Sequence, residues 1–108
     1  MKINSNTTEV HGTHLQGYVT TTRDHIESVL GEPLEYGEGS KVTTEWVIEF
    51  EDGTVATIYD WKRYEDGAPD FDEVYEWHIG GKTWDAALRV SEALGKGVGN
   101  FSIQPFAL

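Results

Sequence analysis

The chain has 108 residues, 38% of them hydrophobic, no cysteine and a net charge of −11. That length supports one domain with one core, and the composition excludes disulfides, thiolate metal sites and a cysteine nucleophile. The charge opposes direct binding to nucleic acid or to an anionic membrane, so neither is an expected partner.

The first regular elements predicted are a strand and a helix. Residues 14–20 alternate and contain β-forming residues, which predicts a short strand, and Gly17 within it indicates a bulge or a close backbone approach. Thr21 or Thr22 then caps a helix that runs through Leu30, where Gly31 favours termination.

Residues 41–61 predict a hairpin that turns at Asp52-Gly53. Two registers remain open. A two-residue turn places Trp46 opposite Tyr59, whereas a three-residue turn with a bulge at Gly53 places it opposite Ile58. The register decides which aromatic side chains belong to the core.

Residues 74–79 predict a further strand, and residues 83–94 predict a second helix that Thr83 can cap. The order is then β-α-β-β-β-α. We therefore expect a single α+β domain over residues 1–108, with an antiparallel sheet of about four strands and both helices on one face.

The two ends of the chain differ in character. Residues 1–10 are polar and predict a loose lead-in without the apolar core of a signal peptide. Residues 100–108 form an apolar tail that contains Phe101, Ile103 and Phe106. This tail can add an edge strand or pack on a second copy of the chain, which leaves a homo-oligomer open.

The segment Gly80-Gly81-Lys82-Thr83 joins the fourth predicted strand to the second helix. Two residues without Cβ, a cation and a helix N-terminus are suited to hold a phosphate or carboxylate. An ordinary strand-to-helix turn explains the segment equally well. A nucleotide triphosphatase is not predicted, because Glu76 occupies the position of the earlier glycine in the Walker A pattern.

The segment Tyr59-Asp60-Trp61-Lys62 ends a predicted strand. Trp61 could stack on a base, Lys62 could meet a phosphate, and Asp60 could accept hydrogen bonds from ribose or a base edge; packing of the aromatics is the alternative. Neighbouring antiparallel strands could bring this segment to the same sheet end as His78 and Lys82. The predicted ligand-binding residues are Tyr59, Trp61, Lys62, Trp77, His78, Gly80, Gly81 and Lys82.

Other polar groups give weaker signals. His11 and His14 have metal-like spacing but no third ligand, so we expect no metal and no cofactor. No catalytic residue is predicted. An acidic run between Glu65 and Glu76 lacks the calcium-loop pattern and favours a solvated loop, with contact to a basic partner as the alternative. The run comprises Glu65, Asp66, Asp70, Asp72, Glu73 and Glu76.

Five motifs in a fixed order resemble a family of small, chiefly uncharacterised accessory proteins of tailed phages and large DNA viruses. They span roughly residues 12–95 and read LQGY (15–18), LGEP (30–33), KVTTEW (41–46), DGTVATIYDWK (52–62) and WHIGGK (77–82). The resemblance implies a viral accessory protein in the host cytoplasm. In size and viral lifestyle such a protein is similar to the viral sponges that sequester nucleotide immune signals. This similarity is an analogy that involves no individual residues.

Three functions follow as hypotheses. The leading one is a non-enzymatic counter-defence sponge that binds an anionic, nucleotide-derived small molecule. The second is an acidic interaction protein that imitates the charge of DNA and inhibits a host nucleic-acid-binding enzyme. The third is a small nucleotide-processing enzyme with His78 as acid or base. We favour binding over catalysis because no nucleophile motif is present.

Overall fold

A computed structural model describes residues 1–37, 39–64, 66–95 and 98–103. The expectations for Glu65 and Phe106 therefore fall outside the described residues. The elements are β1 (Lys2–Ile3), β2 (His14–Thr22), α1 (Arg23–Leu30), β3 (Leu34–Glu35), β4 (Thr44–Glu49), β5 (Val55–Tyr59), β6 (Val74–Gly81), α2 (Asp85–Leu94) and β7 (Asn100–Ile103).

All strand pairs in the described residues are antiparallel, and the strands lie in the order β1-β4-β5-β6-β2-β7, with β3 also paired to β4. The predicted α+β class is confirmed, but the expected number of about four strands is too low. The four long strands β2, β4, β5 and β6 were predicted as such. The short strands β1 and β3 carry too few residues for a periodic signal, and β7 was one of two outcomes predicted for the tail.

The hydrophobic core lies between one face of the sheet and the two helices. Alternate residues of the long strands contribute to it, because successive side chains of a strand point to opposite faces. Trp46 and Trp77 form its centre, fully buried and packed edge to face with ring centroids 5.4 Å apart. Their indole N–H groups donate to the carbonyls of Gly31 and Thr21, so burial leaves neither unpaired. On the opposite face of the sheet, the described residues place no helix.

The hairpin adopts the register with Trp46 opposite Ile58. Gly53 has a φ of 89°, and its N–H donates to the carbonyl of Phe50, which matches a three-residue turn with glycine in the bulge position. The bulge expected near Gly17 is also present, because the pairing of β2 with β6 shifts between Leu15 and Gly17.

The helix ends follow the predicted residues in one case and depart from them in the other. Thr22 caps α1 by accepting a hydrogen bond from the backbone N–H of His25, as expected. Thr83 does not cap α2, because its hydroxyl bonds to the side chain of Asp85 and the N-cap position falls on Trp84. No helix among the described residues is long and apolar enough to cross a membrane.

Both ends of the described chain join the sheet. The lead-in predicted to be loose contains β1, which pairs with β4, and the Asn4 side chain accepts a hydrogen bond from the backbone of Val47. At the other end β7 pairs with β2 and forms an edge of the sheet. The edge-strand alternative for the tail is therefore correct for residues 100–103.

Candidate functional site

Four ring side chains gather on the helix-free face of the sheet, and we refer to Tyr18, Tyr59, Trp61 and His78 as the aromatic surface. Strand register brings them together, because His78 on β6 lies opposite both Tyr18 on β2 and Tyr59 on β5. The His78 ring centroid is 5.0 Å from that of Tyr18, 5.4 Å from Tyr59 and 6.2 Å from Trp61. The surface is continuous across three strands.

A depression of about 200 Å³ opens beside this surface. Its floor includes Gly80, where a Cβ would lie 2.5 Å from the Thr57 hydroxyl oxygen and 3.3 Å from the Tyr59 ring. Gly80 thus leaves room for the Tyr59 ring and for the depression itself. The lining residues are Thr13, His14, Val42, Glu45, Thr57, Tyr59, Trp61 and Gly80.

Trp61 and Lys62 occupy the end of the hairpin, immediately after β5. The backbone N–H of Trp61 donates to the Tyr75 hydroxyl, and that of Lys62 donates to the carbonyl of Lys41. Lys62 has a φ of 54°, a conformation that non-glycine residues seldom adopt. Its ammonium nitrogen lies 5.6 Å from the centre of the Trp61 ring. The structure therefore holds a 39% exposed tryptophan and a cation side by side.

His78 is half-buried and sits between the aromatic rings. Its Nδ1 is buried and has no hydrogen-bond partner among the described residues. Burial lowers the pKa of His78 below 6.5, and the negative charges of Glu76 and Asp60 offset part of that effect. The imidazole is therefore neutral near pH 7.

Three of the predicted site residues lie away from this surface. Trp77 is fully buried on the core face, so it presents no ring to a ligand at the aromatic surface. Gly81 also belongs to β6, and a Cβ there would meet the Cβ of Ala86 at 2.3 Å, so this glycine admits the close approach of α2. Lys82 is exposed beyond the far end of β6.

The expected turn at Gly80-Gly81 is wrong, because both glycines are buried strand residues. β6 pairs with β5 on one side and β2 on the other along these residues, so their backbone lies inside the sheet rather than in an anion-binding turn. The expectation that Lys62 and Lys82 meet at one sheet end is wrong as well. Tyr59 and His78 lie opposite each other, and their antiparallel strands continue from there in opposite directions. Lys62 and Lys82 are therefore roughly 20 Å apart, at about 3.3 Å per residue.

The acceptor at the site also differs from the sequence-based expectation. Asp60 is fully buried, and its carboxylate accepts hydrogen bonds from the backbone N–H groups of Thr43 and Thr44 and from the Thr43 hydroxyl. It therefore fixes the segment that enters β4 and does not face a ligand. Glu45 lines the depression instead. Its position opposite Tyr59 depends on the hairpin register, which the sequence left open.

The acidic run is partly paired rather than wholly solvated. Arg63 donates two hydrogen bonds to Glu73, at 2.9 and 3.2 Å, and its guanidinium carbon lies 5.0 Å from the centre of the Tyr75 ring. Asp66, Asp70 and Asp72 are exposed. Within the described part of the chain, no group of three or more histidine, aspartate or glutamate side chains is arranged to hold a metal ion.

Searches of protein-family models, of curated proteins and of solved structures returned no significant match to this chain.

Proposed function

We propose that this protein binds a flat, anionic, nucleotide-like small molecule on the aromatic surface and holds it without chemical change. The observation that carries the proposal is the pairing of exposed Trp61 with the Lys62 ammonium beside a depression on the helix-free face. A base can stack on the indole while the ammonium meets a phosphate.

The arrangement of Trp61 and Lys62 supports binding over packing. Aromatic side chains usually stabilise a fold by burial, as Trp46 and Trp77 do here. Trp61 retains 39% of its accessible surface, yet its backbone is hydrogen-bonded to Tyr75 and the next residue is held at positive φ. Sparsely populated backbone conformations persist where the surrounding structure determines them, and they cluster at ligand sites.

A biological role follows from the resemblance to small viral accessory proteins. A virus gains from a protein that removes a nucleotide-derived immune signal, and removal requires affinity but no turnover. We therefore propose counter-defence by sequestration in the host cytoplasm. The high negative charge limits competition from nucleic acid, because a net charge of −11 repels polyanions while a small ligand needs only the local cation.

The test is a thermal-shift screen against mono-, di- and cyclic nucleotides and ADP-ribose, followed by isothermal titration calorimetry of each hit. We expect at least one compound to raise the melting temperature and to bind with a dissociation constant that Trp61→Ala increases more than tenfold. Mass spectrometry of the ligand after denaturation should return it unaltered. Recovery of a chemically altered ligand would show that the protein is an enzyme. The lack of any hit in the screen would refute the proposed function.

A further inference from the structure

Glu45 supplies a free hydrogen-bond acceptor to the wall of the depression. It lies on β4 directly opposite Tyr59 and lines the depression together with Tyr59 and Trp61. The Tyr36 hydroxyl donates to Oε1 of Glu45 at 2.7 Å. Oε2 receives no hydrogen bond from the described residues, so one carboxylate oxygen remains available beside the stacking rings.

The neighbouring carboxylate cannot serve the same purpose. Asp60 is fully buried, and three donors from Thr43 and Thr44 already occupy its oxygens. Burial raises the pKa of Glu45, the charge of Asp60 raises it further, and the hydrogen bond from Tyr36 lowers it. The folded protein therefore keeps a half-buried carboxylate near a second negative charge, at a cost to stability that a neutral glutamine would avoid.

We propose that Glu45 makes the site selective for bases that carry an exocyclic amino group. This inference rests on the proposed function, since it names the ligand class of the same site. A base stacked on Trp61 within the depression would turn an edge toward Glu45, which lines the same depression. An amino N–H would donate to the free carboxylate oxygen. A keto oxygen is also an acceptor, so its lone pairs would repel those of the carboxylate.

The experiment compares ligands that differ mainly at that edge. The pairs are AMP with IMP and CMP with UMP, each titrated calorimetrically into the wild type and into Glu45→Gln. We expect the wild type to bind one amino-bearing nucleotide at least tenfold more tightly than its keto partner. Glu45→Gln should reduce that ratio to less than threefold, because a carboxamide can donate to a keto oxygen as well as accept.

Glu49→Gln is the matched control. Glu49 lies on β4, four residues after Glu45 on the same face, opposite Val55 and outside the lining of the depression. We expect it to leave the ratio unchanged. Circular dichroism and the melting temperature report folding, and Glu45→Gln should melt at or above the wild-type temperature.

The two proposals fail in different ways. If no nucleotide binds, the proposed function and the inference that rests on it are both refuted. If amino and keto partners bind the wild type equally, the proposed function stands and the role of Glu45 is refuted. The same conclusion holds if Glu49→Gln and Glu45→Gln change the ratio to the same extent, since the effect would then come from net charge.

Discussion

The rings of Tyr59 and His78 lie 5.4 Å apart on the helix-free face, held opposite each other by the pairing of β5 with β6. This contact joins two segments that are distant in sequence, and it places the half-buried imidazole next to the depression that Tyr59 lines. The aromatic surface is thus a product of strand register. Trp61 extends it past the end of β5, with its ring centroid 6.2 Å from that of Tyr59.

Trp61→Ala should reduce ligand affinity while changing stability little. Stacking of a base on an aromatic side chain contributes about 1–3 kcal/mol, and a side chain that is 39% exposed contributes less to the core than Trp46 does. Trp84→Ala is the matched control, because Trp84 is 46% exposed and lies at the start of α2, away from the depression. Calorimetric titration should show a loss for the first variant alone. An equal loss of affinity in both variants would show that the ligand does not bind at Trp61.

Trp46→Ala should cost about 3–5 kcal/mol of the free energy of unfolding, as large core deletions do. The indole is fully buried, packs on Trp77 and donates to the carbonyl of Gly31. Urea denaturation followed by circular dichroism measures the loss. A cost below about 1 kcal/mol, which is typical of surface positions, would contradict the assignment of Trp46 to the core.

Lys62→Ala should weaken ligand binding several-fold and reduce its dependence on salt. The Lys62 ammonium lies beside Trp61, whereas Lys82 is exposed beyond the opposite end of β6. Lys82→Ala changes the net charge by the same amount and is therefore the control. Titrations at low and high ionic strength should separate the two variants. If Lys82→Ala weakened binding more than Lys62→Ala, the result would support the anion site that the sequence predicts before α2.

His78 should make stability depend on pH. Burial lowers its pKa in the folded protein, so the unfolded chain binds the proton more tightly. The stabilising contribution is then fully present above pH 6.5 and is lost as the pH falls through the lower folded value. The groups that face the imidazole are Tyr18, Tyr59, Trp61, Glu76 and Asp60, of which the last two oppose the shift.

His78→Gln is the comparison for that effect. The free energy of unfolding of the wild type, minus that of the variant, should decrease as the pH falls from 7 to 5. Denaturant titrations at several pH values measure the difference. A constant difference over this range would show that His78 titrates alike in the folded and unfolded states.

Neutralising Asp66, Asp70 and Asp72 together should leave both folding and ligand binding intact, because these side chains are exposed. Glu73 is kept, since it is paired with Arg63 and its loss would confound the result with instability. If the triple variant folds normally but loses activity in cells, the acidic surface would be the functional one, as expected for a mimic of DNA charge.

Elements with local signals could be predicted from the sequence. Alternation that only Val47 breaks predicted β4, the threonine and glycine at the ends of α1 predicted that helix, and Asp52-Gly53 located the hairpin. These signals depend on side-chain period and backbone preference, which a single segment carries in full.

Which residues share a surface depends instead on tertiary contacts. Gly80 and Gly81 have the composition of a turn, yet pairing on both sides makes them strand residues whose missing side chains admit Tyr59 and α2. Glu45 lines the depression because the hairpin register places it opposite Tyr59, and a one-residue change of register would exchange the two faces of the strand. Lys82 lies away from the predicted site because antiparallel pairing determines which strand ends meet. Local sequence does not carry that information, since register is determined by contacts between segments far apart in the chain.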